Sequence, residues 1–158
     1  MKQGTTLFLK IALFLIGIPV LTLSIVGGIW LVNHPANPAY AHMLYPIVIG
    51  MYVSSIPFYM ALYQAFKLLG YIDRNKAFSE LSVKALKVIK KCALTISTVY
   101  LVMLPFVFLV AQSDDAPGLV LVGMVPIFAS MVIAVFAAVL QRLLQEAIDI
   151  KSENDLTV

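Results

Sequence analysis

Residues 11–32 read IALFLIGIPVLTLSIVGGIWLV, an apolar run without one charged side chain. A helix rises about 1.5 Å per residue and the hydrocarbon core of a bilayer is about 30 Å thick, so about 20 such residues cross it. This run is long enough to span a membrane, and three more follow it, at about 45–69, 89–111 and 118–140. Lys2 and Lys10 before the first run, and Ala39-Tyr40-Ala41 after it, imitate a secretory signal. A signal's apolar region is only about 7–15 residues long, however, and this Ala-x-Ala lies well past the run's end, so the run is read as a retained anchor.

Composition agrees. The chain is 61% hydrophobic and 12% charged, where a soluble domain carries charge on about a quarter of its residues. Four spans consume most of its 158 residues, which leaves no room for a soluble catalytic domain. The expected fold is all-α: an integral membrane four-helix bundle, one four-span domain over 1–158, with a short cytoplasmic amphipathic helix between spans 2 and 3 and a cytoplasmic tail at 141–158. A pI near 9.0 reflects loop charge and predicts no direct nucleic acid binding. The single cysteine, Cys92, excludes an internal disulfide and is expected to pack as a small buried hydrophobe.

Lysine and arginine set the orientation. Lys2 and Lys10 precede the first span. Lys67, Arg74, Lys76, Lys84, Lys87, Lys90 and Lys91 lie in the middle connection and the span ends that border it, and Arg142 and Lys151 lie in the tail, which exhausts the 11 basic residues. The other two connections hold none. The positive-inside rule puts both termini and the middle connection in the cytoplasm of a bacterial inner membrane. Trp30, Tyr40 and Tyr45 then fall near the outer interface and Tyr71 near the inner one, as aromatic belts require.

In the middle connection Ser79 is positioned to cap a helix beginning at Glu80, whose carboxylate suits the positive end of the dipole. Lys84, Lys87 and Lys91 recur on one helical stripe, with Leu81, Ala85, Leu86 and Ile89 over much of the rest. This pattern predicts contact with anionic lipid at the inner leaflet.

The cores of the four apolar runs contain no Asp, Glu, His, Lys or Arg; Lys67, Lys90 and Lys91 stand only at the ends of the second and third. Ion pathways and proton relays generally need such groups inside the membrane, so an intramembrane enzyme and a proton-driven pump both lose weight. No catalytic residue, cofactor or metal is expected. Small residues are present instead: Gly17, Ser24 and Gly28 near one face of the first span, and Ser130, Ala134 and Ala138 on the fourth. Such positions let helices approach closely where lipid gives no hydrophobic drive. Tyr52, Ser55, Tyr59 and Tyr63 make a stripe on the second span, and Thr98 lies on a stripe of the third. Interhelical packing is the simpler reading, and a ligand cavity lined by these five residues is the sharper one. Pro19, Pro57, Pro105 and Pro126 interrupt the four spans, as is common in transmembrane helices, and Pro46 suits a first turn of the second.

The outer side carries His34, His42, Asp114 and Asp115, donors for a divalent metal or an acid sensor, in no recognised ligand spacing. Solvated loop residues explain them as well, and Asp115 also reads as the N-cap of the fourth span. The tail continues helically with Leu143, Leu144, Ala147 and Ile148 on one face. Its last residues, 154–158, either fray or add as a strand to a partner's sheet.

Three segments carry a family resemblance: Lys76-Ala77-Phe78-Ser79 before the basic helix, Asp114-Asp115-Ala116-Pro117-Gly118, and Glu153-Asn154-Asp155-Leu156-Thr157-Val158. With the order of the four spans, the chain resembles the bacterial membrane family named "domain of unknown function 2975". The resemblance implies a small four-helix inner-membrane protein, often encoded beside a small helix-turn-helix regulator, and carries over no catalytic residue or cofactor. The expected function is a non-enzymatic regulatory, sensing, stress or immunity role exercised through partners. Those partners are the lipid bilayer and a membrane or cytoplasmic protein, with room for a homo-oligomer. The alternative is a transporter or channel component that binds a hydrophobic or lipid ligand.

Overall fold

A computed structural model describes residues 3–33, 38–113 and 115–156, with only the backbone at 3 and 38–43. The described chain is four helices: α1 (Gln3–Asn33), α2 (Pro38–Asp73), α3 (Glu80–Ser113) and α4 (Gly118–Leu156). All four are long and apolar enough to cross a membrane. At 31, 36, 34 and 39 residues they run about 46–58 Å, well beyond the hydrocarbon core. The excess is polar helix at the ends of the apolar runs. The basic lead-in, for example, is continuous with the third span inside α3.

The bundle is built as a row. α1 packs on α2, α2 on α3 and α3 on α4; among the described residues no other pair of helices meets, and the α1–α2 contact is the thinnest. Small side chains set the two broad seams. Gly50 of α2 faces Met103 of α3, and Gly123 of α4 faces Val107 and Leu104 of α3. The Tyr100 hydroxyl lies 3.3 Å from Ser54 Oγ across α2 and α3. Other hydroxyls turn back on their own helices: Ser24 to the Val20 carbonyl, Thr95 to Lys91 and Thr98 to Leu94. That satisfies them in a medium without water.

Four sequence readings are corrected. α2 begins at Pro38, so Pro38 rather than Pro46 occupies the first turn and Pro46 is internal. Asp115 does not cap α4. It sits at φ 52° just past the end of α3, where Asp115 N–H donates to Gln112 O and Ala116 N–H to Ala111 O. This is a Schellman closure, and Asp, like Asn, tolerates the left-handed conformation it needs. Asn75, at φ 58°, closes α2 in the same way through Ile72 O and Tyr71 O. The strand at the C-terminus is also overturned as far as Leu156, to which α4 stays helical; Thr157 and Val158 lie outside the described residues. Ser79 does precede α3, but its Oγ donates to Lys76 O at 2.5 Å rather than accepting from the helix.

On α4 the buried small residues are Ser130, Ala134 and Ala137, while Ala138 is half-buried. Ala134 is 3% exposed. Replacing it with leucine forces extra methylenes into a filled seam, a cost of about 1–3 kcal/mol. Thermal unfolding in detergent should show that loss, and a smaller one for Ala138→Leu.

Candidate functional site

The α1–α2 seam gathers most of the polar chemistry of the described residues. α1 presents Gly17, Ser24 and Gly28, and α2 answers with tyrosines. Tyr59 donates to the Gly17 carbonyl at 3.0 Å and Tyr52 to the Ser24 carbonyl at 2.5 Å. Gly28 leaves room for this contact: a Cβ on it would stand 2.6 Å from the Tyr52 hydroxyl oxygen and displace it. Near the basic end, Phe14 meets Phe66 edge-on at 5.1 Å between ring centroids.

Beyond Phe66 the seam ends in an ion pair. Lys10 Nζ lies 2.9 Å from Asp73 Oδ2, and both side chains are largely covered. The Thr6 hydroxyl, fully buried, donates to the other oxygen of the same carboxylate. Asp73 therefore holds the start of α1 against the end of α2. The sequence reading assigns it no role, although it is one of only two acids, with Glu80, among the basic residues between spans 2 and 3.

Two grooves flank this seam. The lower has a volume of about 650 Å³, with Phe14, Tyr59, Leu62, Tyr63 and Phe66 in its walls and Lys10, Lys67 and Arg74 at its rim. The upper, about 430 Å³, lies beside Ser24, Gly28 and Tyr52. Of the five residues expected to line one cavity, Tyr59 and Tyr63 line the lower groove and Tyr52 the upper. Ser55 is turned onto the Tyr52 carbonyl and Thr98, on α3, onto Leu94, and neither lines either of these two grooves. Lys84, Lys87 and Lys91 are exposed along one side of α3, while Ser82, Val83, Ala85 and Leu86 opposite them are buried. The Gln145 side chain of α4 donates to Glu80 at 3.1 Å beside this segment.

Cys92 is buried and inert in packing terms. Of the donors expected on the outer side, His34 and Asp114 and the side chain of His42 lie outside the described residues. Asp115 is accounted for by the end of α3.

Four apolar helices in a row, with hydroxyls returned to their own backbones, define a multi-pass membrane protein. The chain belongs to the family described as "Protein of unknown function (DUF2975)", whose model matches residues 30–158. That match covers α2 to α4 and leaves most of α1 outside. The chain is also 62% identical over 160 residues to "Uncharacterized membrane protein YoaS" of Bacillus subtilis (strain 168), with all of both chains covered. No solved structure matches it.

Proposed function

We propose that this chain is a non-enzymatic accessory protein of the bacterial cytoplasmic membrane, with both termini inside, that acts by engaging a protein partner in regulation, sensing, stress or immunity. The observation that carries this is the extension of α4. Past Leu140 the helix continues to Leu156, about 24 Å beyond the apolar run. Leu143 and Ile150, seven residues apart and so on one face, are 56% and 66% exposed there. Lipid accounts for exposed apolar side chains inside a membrane, but not for these, which are left to a partner helix or a second copy of the chain. The row supports the same reading, because helices packed only on their neighbours enclose no lumen within one chain.

The test is affinity capture from native membranes with the unmodified chain and with Leu143→Asp plus Ile150→Asp. A stoichiometric partner retained by the first and lost by the second is expected. The alternative, a transporter or channel component binding a hydrophobic or lipid ligand, is favoured by the two grooves and requires an oligomer to form a path. Solute flux in liposomes without any captured partner would select it.

A further inference from the structure

We infer that the lower groove between α1 and α2 is a binding site for one anionic phospholipid of the cytoplasmic leaflet. Its phosphate lies at Lys67 and Arg74, and an acyl chain lies along Phe14 and Phe66. Three observations converge on this occupant. The groove is amphipathic along its length, with aromatic and aliphatic walls and a cationic rim. The rim charge is available: Lys10 is neutralised by Asp73, but among the described residues no ion pair engages Lys67 or Arg74. Lys67 also lies beside the groove wall, its Nζ 4.9 Å from the centre of the Tyr63 ring, a cation–π contact. A volume of about 650 Å³ falls in the usual range of about 300–1,000 Å³ for small-molecule sites.

The position fits as well. The rim residues stand where the apolar part of α2 gives way to its polar end, the depth of lipid phosphates. Basic pockets between helices on the cytoplasmic side are a general solution for anionic headgroups. Gly70 leaves space in the groove: a Cβ there would meet nothing within 4 Å. A lipid seated in it touches α1 and α2 together, across the seam with the least protein contact. The site differs from the exposed stripe of Lys84, Lys87 and Lys91, which offers charge but no groove, and so predicts loose, salt-sensitive adsorption. The inference rests on the cytoplasmic placement of the middle connection only for its choice of leaflet; binding itself is measured without any membrane orientation.

The test uses the purified full chain in detergent, with phosphatidylglycerol or phosphatidylcholine added and bound lipid read by native mass spectrometry. One phosphatidylglycerol per chain should be retained at least tenfold more strongly than phosphatidylcholine, and should raise the thermal midpoint, since a ligand that binds only the folded state stabilises it. Lys67→Gln plus Arg74→Gln should abolish the preference, whereas Lys84→Gln plus Lys87→Gln should keep it and lose only adsorption to anionic vesicles. Gly70→Leu fills the groove without touching its charge, and should also expel the lipid, which covers the case in which the double variant folds poorly. Undiminished phosphatidylglycerol retention by Gly70→Leu, or equal retention of both lipids by the unmodified chain, overturns the proposal. So does glycerol phosphate binding as tightly as the lipid, which would assign the rim to a soluble phosphate.

Discussion

Gly50→Val should lower the stability of the detergent-solubilised protein by about 1–3 kcal/mol, the cost of overpacking a filled core. A Cβ at this position would meet the Met103 thioether, standing 2.7 Å from its Cγ. Met103 is only 5% exposed, so the side chain has little room to retreat, and α2 and α3 would have to separate. This seam is one of the two broad ones that hold the row together, which is why the effect is large. Met103→Ala should recover part of the loss when combined with Gly50→Val, since it vacates the space the valine needs. The two changes together should cost measurably less than their sum, the sign of a direct contact. Strictly additive costs would mean that Gly50 and Met103 do not oppose each other. Gly28→Ala makes a useful contrast. It displaces the Tyr52 hydroxyl, but Tyr52 is 39% exposed and can swing away. Only one hydrogen bond is at stake, about 0.5–1.5 kcal/mol.

Asp73→Ala should release the first turns of α1 while leaving α2 to α4 intact. The carboxylate receives both the Lys10 ammonium and the Thr6 hydroxyl, and among the described residues no other ion pair joins two helices. Without it, the α1–α2 seam keeps its aromatic and tyrosine contacts but loses its end anchor. Spin labels at Thr5 and Lys76, both exposed, with Cys92 replaced by alanine, should report a narrow distance distribution that broadens in the variant. High salt should broaden it partly in the unmodified chain, because a pair at the membrane edge is screened. Exchanging the charges, Lys10→Asp with Asp73→Lys, should narrow it again. Equal distributions for the unmodified chain and Asp73→Ala would show that the ion pair does not hold α1.

The four spans were legible because hydropathy measures the membrane slab directly. The ends of the helices were not, since helix and slab end at different places. Pro38 opens α2 well before the apolar run begins, and α4 persists through a charged tail. Asp115 was misread for a related reason. Asp serves both as an N-cap and, less often, in the left-handed position after a helix, and only the backbone distinguishes the two. One side of the α1–α2 seam could be read from Gly17, Ser24 and Gly28, whereas their pairing with Tyr52 and Tyr59 could not, because spacing along one helix does not name the facing one. The same limit applies to the stripe on α4, where the partner helix selects Ala137 over Ala138. The groove's cations were hidden in plain view. Lys67 and Arg74 were fully explained by membrane orientation, and Asp73 acquires its meaning from Lys10, 63 positions away.

Orientation underlies the partner reading, the leaflet assigned to the lipid site and the basic stripe alike. It is tested most directly with a reporter that is active only outside the cytoplasm, fused after Val158 in one chain and inserted beside Asn37 in another. Silence at Val158 and activity beside Asn37 are predicted, with both termini inside and the loop between α1 and α2 outside. Activity at Val158 would contradict the account, and would place the cationic groove and the α4 extension on the wrong side of the membrane.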